Sequence, residues 1–173
     1  FADFGGARYC LTVANGTIAL QLALEALDIG AYDEVIVPGL TWQATAAACL
    51  DVNAVPILVD IDPETYCLDV RKAEAAITPK TRAIIVVHLY GAMADMDALV
   101  SLCERNNLFL IEDCAHQHGS RWNGRGVGTI GQVGAFSLQQ SKVLTSGEGG
   151  INTTNDWDLF QKLYSLRNCG RAY

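Results

Sequence analysis

The chain has 173 residues, of which 50% are apolar and 8% aromatic, enough for one globular domain with a hydrophobic core. Its formal net charge is −7 and its pI is about 4.8, and an acidic surface repels phosphodiester backbones, which excludes nucleic-acid binding as a main role. No apolar run is long enough to span a bilayer. We therefore expect neither nucleic acid nor membrane as a partner.

Short β-rich apolar runs alternate with helical patterns along the chain. The predicted strands are Tyr9–Val13, Glu34–Pro38, Val55–Val59, Ala83–Val87, Leu108–Ile111, Val133–Ser137 and Gly150–Thr153. The predicted helices are Gly16 or Thr17 to Leu27, Thr41–Leu50, Val70–Ile77, Asp95–Asn106 and Asp156–Leu166. Such alternation predicts one α/β domain in which a mostly parallel sheet is covered by helices on both faces, a three-layer α/β/α architecture.

The six cysteines contain no CxxC pair, and most lie in or beside apolar segments. Buried free thiols are typical of proteins in a reducing compartment. We therefore expect a cytoplasmic protein without disulfides.

Polar side chains follow the strand Leu108–Ile111, and ligands of parallel sheets bind at this carboxyl edge. Asp113 is a candidate there, although a helix cap or a surface acid is the ordinary explanation of such a residue. His116 and His118 have the spacing of an HxH pair, with Cys114 nearby. Because no second Cys/His cluster completes a metal site, we expect no metal.

The segment Gly126–Gly131 matches the string G-x-G-x-x-G. A dinucleotide fingerprint needs a strand before this string and a helix after it. Here a polar stretch precedes it and a strand follows. We therefore expect tight turns instead of a nucleotide site.

Asn15-Gly16-Thr17 lies between a strand and a long helix, where free backbone N–H groups favour an anion such as phosphate. Lys142 follows the strand Val133–Ser137 and precedes a glycine-rich segment. Trp42 opens a predicted helix, and its ring could pack in the core or stack on a planar ligand. Each feature is weak alone, but their order along the chain is informative.

Together these motifs resemble the fold-type I pyridoxal-phosphate (PLP) enzymes, and specifically the DegT/DnrJ/EryC1/StrS aminotransferase family. The resemblance covers essentially the whole chain. Its motifs are Asn15–Thr17, Asp33–Pro38, Asp60–Pro63, Thr78–Thr81, His88–Gly91, Glu112–Asp113, His118–Gly119, Phe136–Ser137, Lys142 and Gly147–Gly150. Family chains are roughly twice this length, so the resemblance implies that residues 1–173 are a PLP-binding large domain, a fragment without a leading segment and the C-terminal small domain.

The resemblance implies catalytic roles for two residues. Lys142 would bind the cofactor covalently and later move a proton between substrate and cofactor. Asp113 would pair with the protonated pyridine nitrogen, which keeps the ring an electron sink. A regulator with this fold would often lack one of the two, and both are present.

The resemblance also implies the remaining cofactor contacts. The backbone around Gly16, Thr17 and Ile18, with the Ser137 hydroxyl, would hold the phosphate, and Trp42 would stack on the ring. One position departs from the family pattern: many relatives have Gln three residues after the aspartate, where this chain has His116. Its imidazole could pack on the ring or bond the phenolic oxygen, and it could titrate near neutrality.

Within the family, Pro38–Ala44, Asp113–Gly119 and Phe136–Lys142 resemble the L-glutamine:scyllo-inosose and 2-deoxy-scyllo-inosose aminotransferases. The implied reaction moves the amino group of glutamine to a keto-cyclitol during aminoglycoside antibiotic synthesis. A nucleotide-diphospho-keto-sugar aminotransferase is an alternative. A 3-amino-5-hydroxybenzoate synthase is another, which His116 and the tail Arg167–Arg171 keep open. Family members are homodimers whose sites borrow residues from the partner chain.

Overall fold

The computed structural model describes residues 1–173. Its helices are α1 (Ala2–Gly5), α2 (Gly16–Ala26), α3 (Ala44–Asp51), α4 (Val70–Ala75), α5 (Met96–Asn106) and α6 (Trp157–Arg167). Its strands are β1 (Tyr9–Val13), β2 (Glu34–Pro38), β3 (Val55–Val59), β4 (Thr81–Val87), β5 (Phe109–Asp113), β6 (Arg121–Trp122), β7 (Arg125–Gly126), β8 (Val133–Ser137) and β9 (Gly150–Thr154). None of the helices has the length and apolarity needed to cross a lipid bilayer.

Seven strands form one sheet in the order β1-β9-β8-β5-β4-β2-β3. The strands β8, β5, β4, β2 and β3 pair in parallel, whereas β9 runs antiparallel to both of its neighbours, β1 and β8. β6 and β7 form a separate small hairpin. The sheet is therefore mostly parallel, as predicted.

Helices cover both faces of the sheet. Side chains alternate along the central strands, so that Ile85 packs with α2, α3 and α6, whereas Ile84 and Val86 pack with α4 and α5. A strand buried on both faces reads as a continuous apolar run, which explains the sequence of β4. The three-layer α/β/α architecture is confirmed.

Side-chain caps define the starts of four helices. Asn15 Oδ1 accepts from the Ile18 amide, Asp95 Oδ1 from Ala98, and Asp156 Oδ1 from Leu159. Asp69 caps α4 in the same way. Each cap satisfies an amide that the first helical turn leaves without a partner.

Several predicted boundaries were wrong by a few residues. Helix α3 begins at Ala44 and not at Thr41, so Trp42 lies in the turn before the helix. Strand β5 extends to Asp113, which is therefore its last residue and does not follow it. The hairpin β6–β7 was not predicted, although Asn123 and Gly124 both have positive φ, as a two-residue Asn-Gly hairpin turn requires.

Candidate active site

A cavity of about 480 Å³ opens at the carboxyl edge of the parallel strands. The connections after β1, β2, β5 and β8 contribute to it, which is where a sheet of this kind binds ligands. Seven of the eight predicted site residues line it: Gly16, Thr17, Trp42, Asp113, His116, Ser137 and Lys142. Residues that are far apart in the sequence thus meet in one place.

Asp113 lies at the floor of the cavity and is 6% exposed. Its Oδ2 accepts a hydrogen bond from Thr45 Oγ1 at 2.9 Å, and its Oδ1 accepts one from the Ala115 amide at 3.2 Å. Burial raises the pKa of the Asp113 carboxyl, and the two hydrogen bonds oppose that rise. Asp113 forms no ion pair within the chain.

A buried carboxylate without a cation is costly unless a ligand supplies the positive charge. The protonated nitrogen of a pyridine ring has the charge and the hydrogen-bond donor that Asp113 lacks. The residues present therefore fit a cationic aromatic cofactor.

The start of α2 provides an anion site. The Ile18 amide donates to Asn15 Oδ1 at 2.9 Å and the Ala19 amide to the Asn15 carbonyl at 3.1 Å. The amides of Gly16 and Thr17 are left free to bind an anion, since the first turn of a helix offers them no carbonyl. Ile18 does not line the cavity, so an anion at this helix start would contact the amides of Gly16 and Thr17.

Ser137 ends β8 beside this helix start and is 8% exposed. A Cβ atom on Gly16 would lie 2.8 Å from the Ser137 Cβ, so only glycine allows this close approach. The hydroxyl of Ser137 thus lies beside the start of α2, and Gly16, Thr17 and Ser137 together form one cradle in the cavity wall.

Lys142 lies in the connection between β8 and β9, in a turn closed by its own amide donating to the Gln139 carbonyl at 2.9 Å. Its side chain is half-buried and lines the same cavity as Asp113. Its positive charge helps to lower the pKa values of His116 and His118. A nucleophilic amine thus shares one cavity with a carboxylate that lacks a cation.

Two aromatic side chains lie at the cavity wall. Trp42 is 70% exposed, which leaves a ring face open to a ligand. The His116 ring stacks on Tyr90 with centroids 5.9 Å apart. Burial, with the charge of Lys142, lowers the pKa of His116, which favours the neutral imidazole.

The three residues of the HxH segment face different partners. His118 Nε2 donates to the Ser137 carbonyl at 2.8 Å, whereas His116 faces Tyr90. Cys114 Sγ donates to the Glu112 carbonyl at 3.5 Å. These three side chains do not converge on one point that a metal ion could occupy.

The glycine-rich segment Gly126–Gly131 wraps around the carboxylate of Glu112. Oε1 accepts from the amides of Ile130 and Gly131, both at 2.7 Å, and Oε2 accepts from Gly128 at 2.9 Å. His88 Nε2 lies 3.3 Å from Oε2. The glycines thus make tight turns around a side chain of the protein itself, as expected.

His88, Glu112 and Cys114 are close enough together to suggest a metal site. Glu112 has its oxygens satisfied by the three amides, and His88 Nδ1 accepts from the Ala94 amide at 3.3 Å. His88 therefore carries its proton on Nε2 and donates it to Glu112. The cluster is a closed hydrogen-bond network and offers no free ligand atom.

Four further residues at the cavity were missed by the sequence reasoning. Thr41, Gln139 and Glu148 line it, and Thr45 contacts Asp113 from α3. The hydroxyls of Thr41 and Thr45 lie 3.2 Å apart. Thr41 lies in the turn before α3 and Thr45 in the first turn of the helix. Nothing in an alanine-rich helix indicates that Thr45 contacts Asp113.

Two curated relatives match this chain closely. One is L-glutamine:2-deoxy-scyllo-inosose aminotransferase of Streptoalloteichus tenebrarius, 55% identical over 100% of this chain and 41% of the relative. Another is L-glutamine:scyllo-inosose aminotransferase of Streptomyces griseus, 56% identical over 99% of this chain and 41% of the relative. The chain thus spans about two fifths of their length.

Solved structures match the fold at similar coverage. An aminotransferase from Psychrobacter cryohalolentis has a TM-score of 0.98 and 42% identity, over 100% of this chain and 44% of that one. A 3-amino-5-hydroxybenzoic acid synthase has a TM-score of 0.96 and 41% identity, over 99% of this chain and 45% of that one. A Bacillus subtilis protein with bound cofactor PMP has a TM-score of 0.89 and 34% identity, over 95% of this chain and 37% of that one.

The architecture, the cavity and these relatives agree with the resemblance of the motifs. The family of DegT/DnrJ/EryC1/StrS aminotransferases matches residues 1–173, the whole of this chain. The chain belongs to the DegT/DnrJ/EryC1/StrS aminotransferase family.

Proposed function

We propose that this chain binds PLP and forms the catalytic large domain of an aminotransferase. The observation that carries the proposal is the shared cavity: Asp113, buried without a cation, lines it together with Lys142 and the cradle of Gly16, Thr17 and Ser137. Each group matches one part of PLP: ring nitrogen, aldehyde and phosphate. PMP, which one matched structure contains, is the aminated form of PLP.

Bound PLP supplies an electron sink that stabilises negative charge on the substrate carbon. Asp113 holds the proton of the ring nitrogen in place, because an ionised neighbour favours the cationic ring. Lys142 Nζ would hold the cofactor through its aldehyde carbon, and once released as a free amine it would hold and move a proton beside the reacting carbon. The amides of Gly16 and Thr17, with the Ser137 hydroxyl, bind the phosphate, and Trp42 and His116 orient the ring by contact with its faces or edge.

The proposed reaction moves the amino group of L-glutamine to a keto-cyclitol such as scyllo-inosose. The names of the two relatives above support this choice, since both exceed 50% identity across this chain. Because those relatives extend well beyond the matched region, residues outside this chain also contribute to substrate choice.

We also propose that residues 1–173 are one domain of a longer, homodimeric protein of the cytoplasm. Exposed apolar side chains at the cavity rim support the dimer: Trp42, Tyr90 and Val143 are 70%, 74% and 86% exposed. The six free cysteines are consistent with a reducing compartment.

The lysine assignment is tested by trapping the cofactor. Borohydride should fix PLP permanently to the complete protein, and mass spectrometry should place the added mass on Lys142. The Lys142→Ala variant should carry no added mass at any residue, whereas Lys162→Ala, which removes an exposed lysine paired with Asp28, should be labelled like the wild type. An undiminished adduct in Lys142→Ala would refute the assignment.

The substrate is tested by offering the complete protein glutamine together with scyllo-inosose, 2-deoxy-scyllo-inosose or a dTDP-keto-sugar. We expect amino-cyclitol formation with an inosose, and none with Lys142→Ala. Amination of the nucleotide sugar alone, or conversion of an aminated ring to an aromatic acid, would replace the proposed substrate by one of the two alternatives.

A further inference from the structure

The carboxylate of Asp113 is held by a side chain that does not line the cavity. Thr45 is fully buried in α3, and its hydroxyl donates to Asp113 Oδ2 at 2.9 Å. Thr45 does not line the cavity, whereas Asp113 and Thr41 do. A residue in this place acts on the cofactor only through Asp113.

The direction of each proton in this contact follows from chemistry. The ionised carboxylate can only accept hydrogen bonds, so the Thr45 hydroxyl donates its single proton to the bond with Asp113. The Thr41 hydroxyl, 3.2 Å from Thr45 Oγ1, can then only donate to the Thr45 oxygen if the two hydroxyls bond. This chain of donors runs from Thr41 through Thr45 to Asp113, and successive hydrogen bonds of this kind polarise one another.

We propose that Thr45 is a positioning residue for PLP: it keeps Asp113 ionised and aimed at the ring nitrogen, and Thr41 supports it. The proposal rests on the proposed function, since it needs PLP in this cavity. The remaining carboxylate contact, Ala115 N–H to Oδ1 at 3.2 Å, comes from the backbone and cannot replace the Thr45 donor on Oδ2. Without Thr45, Oδ2 would be buried with no donor from the protein, which is costly for a charged oxygen.

The test compares PLP binding to the complete protein carrying Thr45→Val or Thr45→Ser. Valine keeps the shape of threonine and removes the hydroxyl, whereas serine keeps the hydroxyl. We expect Thr45→Val to weaken PLP binding by about 10- to 100-fold, the usual effect of losing a hydrogen bond to a charged group, and Thr45→Ser to restore most of it. Thr81→Val is the matched control, because Thr81 is 5% exposed and its hydroxyl bonds the Thr78 amide at the opposite edge of the sheet.

A second measurement determines the affinity for PLP as a function of pH. A purely structural role of Thr45 would not shift this pH dependence. As pH falls, Asp113 takes up a proton and no longer attracts the cationic ring, so affinity falls. Because the lost donor had favoured the ionised carboxylate, this fall should begin at higher pH in Thr45→Val. The other titratable groups next to Asp113 or in its cavity are His88, Cys114, His116, Lys142 and Glu148. They are the same in both proteins.

The outcomes separate the two proposals. If the wild type binds PLP, and Thr45→Val binds it equally tightly with the same pH dependence, Thr45 is not a positioning residue although the function stands. Failure of Thr45→Ser to recover affinity would also overturn the role of Thr45. If the wild type itself binds no PLP, the proposed function is the part that fails.

Discussion

At the scale of single residues, Asp113 is kept at a cost to the stability of the protein. Burial raises its pKa, so above that pKa the folded chain holds a charge that the cavity disfavours. A site of this kind trades stability for function, since the ligand and not the fold supplies the missing charge. Asn has nearly the same shape as Asp and carries no charge. An Asp113→Asn variant therefore separates the effect of the charge on stability from its effect on cofactor binding.

We therefore expect Asp113→Asn to stabilise the cofactor-free protein at pH 8 while it removes tight PLP binding. The gain should be about 1 kcal/mol, or about 2–4 °C in Tm. It should shrink as pH falls through the raised pKa, because the wild-type carboxyl is then protonated and neutral as well.

Thermal unfolding of both proteins between pH 5 and pH 8, without cofactor, measures this difference. Asp158→Asn is the matched control, because Asp158 is exposed on α6 and its replacement should leave the Tm nearly unchanged over this range. A cofactor-free Asp113→Asn protein that is less stable than the wild type at pH 8 would show that the carboxylate is not destabilising.

At the scale of elements, β5 organises both the cavity and the loop beside it. Asp113 and Glu112 are neighbours at the end of this strand, and successive side chains of a strand point to opposite faces. Asp113 faces the cavity, whereas Glu112 binds three amides of Gly126–Gly131. The loop that precedes β8 is therefore held in place by Glu112.

We expect Glu112→Gln to destabilise the protein by about 2–4 kcal/mol. The new NH₂ group would face either the Gly128 amide and His88 Nε2, or the amides of Ile130 and Gly131, and in both orientations buried donors would lose their acceptor. Urea denaturation measures the loss. Glu104→Gln, an exposed position on α5, is the control, and equal stability of the two variants would contradict the role given to Glu112.

The same elements show how far sequence reasoning reaches. The seven strands of the large sheet were predicted to within two residues at either end. Short β-rich apolar runs such as Ala83–Val87 can be recognised from neighbouring residues alone. The motifs predicted that Lys142 and Asp113 belong to one site, and both line the same cavity. The start of α3 was missed because no side-chain cap marks it: Gln43 precedes the helix without a capping hydrogen bond. The roles of Thr45 and Glu112 were missed because they depend on contacts between residues far apart in the sequence. Thr45 contacts a residue 68 positions away, and Glu112 contacts residues 16–19 positions away.

At the scale of the whole molecule, the β8–β9 connection exposes apolar side chains next to the cavity. Val143 and Leu144 follow Lys142 directly and are 86% and 42% exposed. Apolar residues this exposed beside a binding site indicate a surface that another chain or domain covers. The proposed dimer places its partner there.

We expect Val143→Asp to weaken the homodimer of the complete protein by about tenfold or more, because an unpaired carboxylate buried in an interface costs several kcal/mol. PLP binding should weaken with it, since the rim of the cavity loses its cover. Analytical ultracentrifugation gives the dimer dissociation constant. Tyr32→Asp is the matched control: Tyr32 is 83% exposed before β2, at the opposite edge of the sheet, and its replacement should leave the dimer intact. A Val143→Asp protein that dimerises as tightly as the control would place the interface elsewhere and leave the rim of the cavity to another part of the same chain.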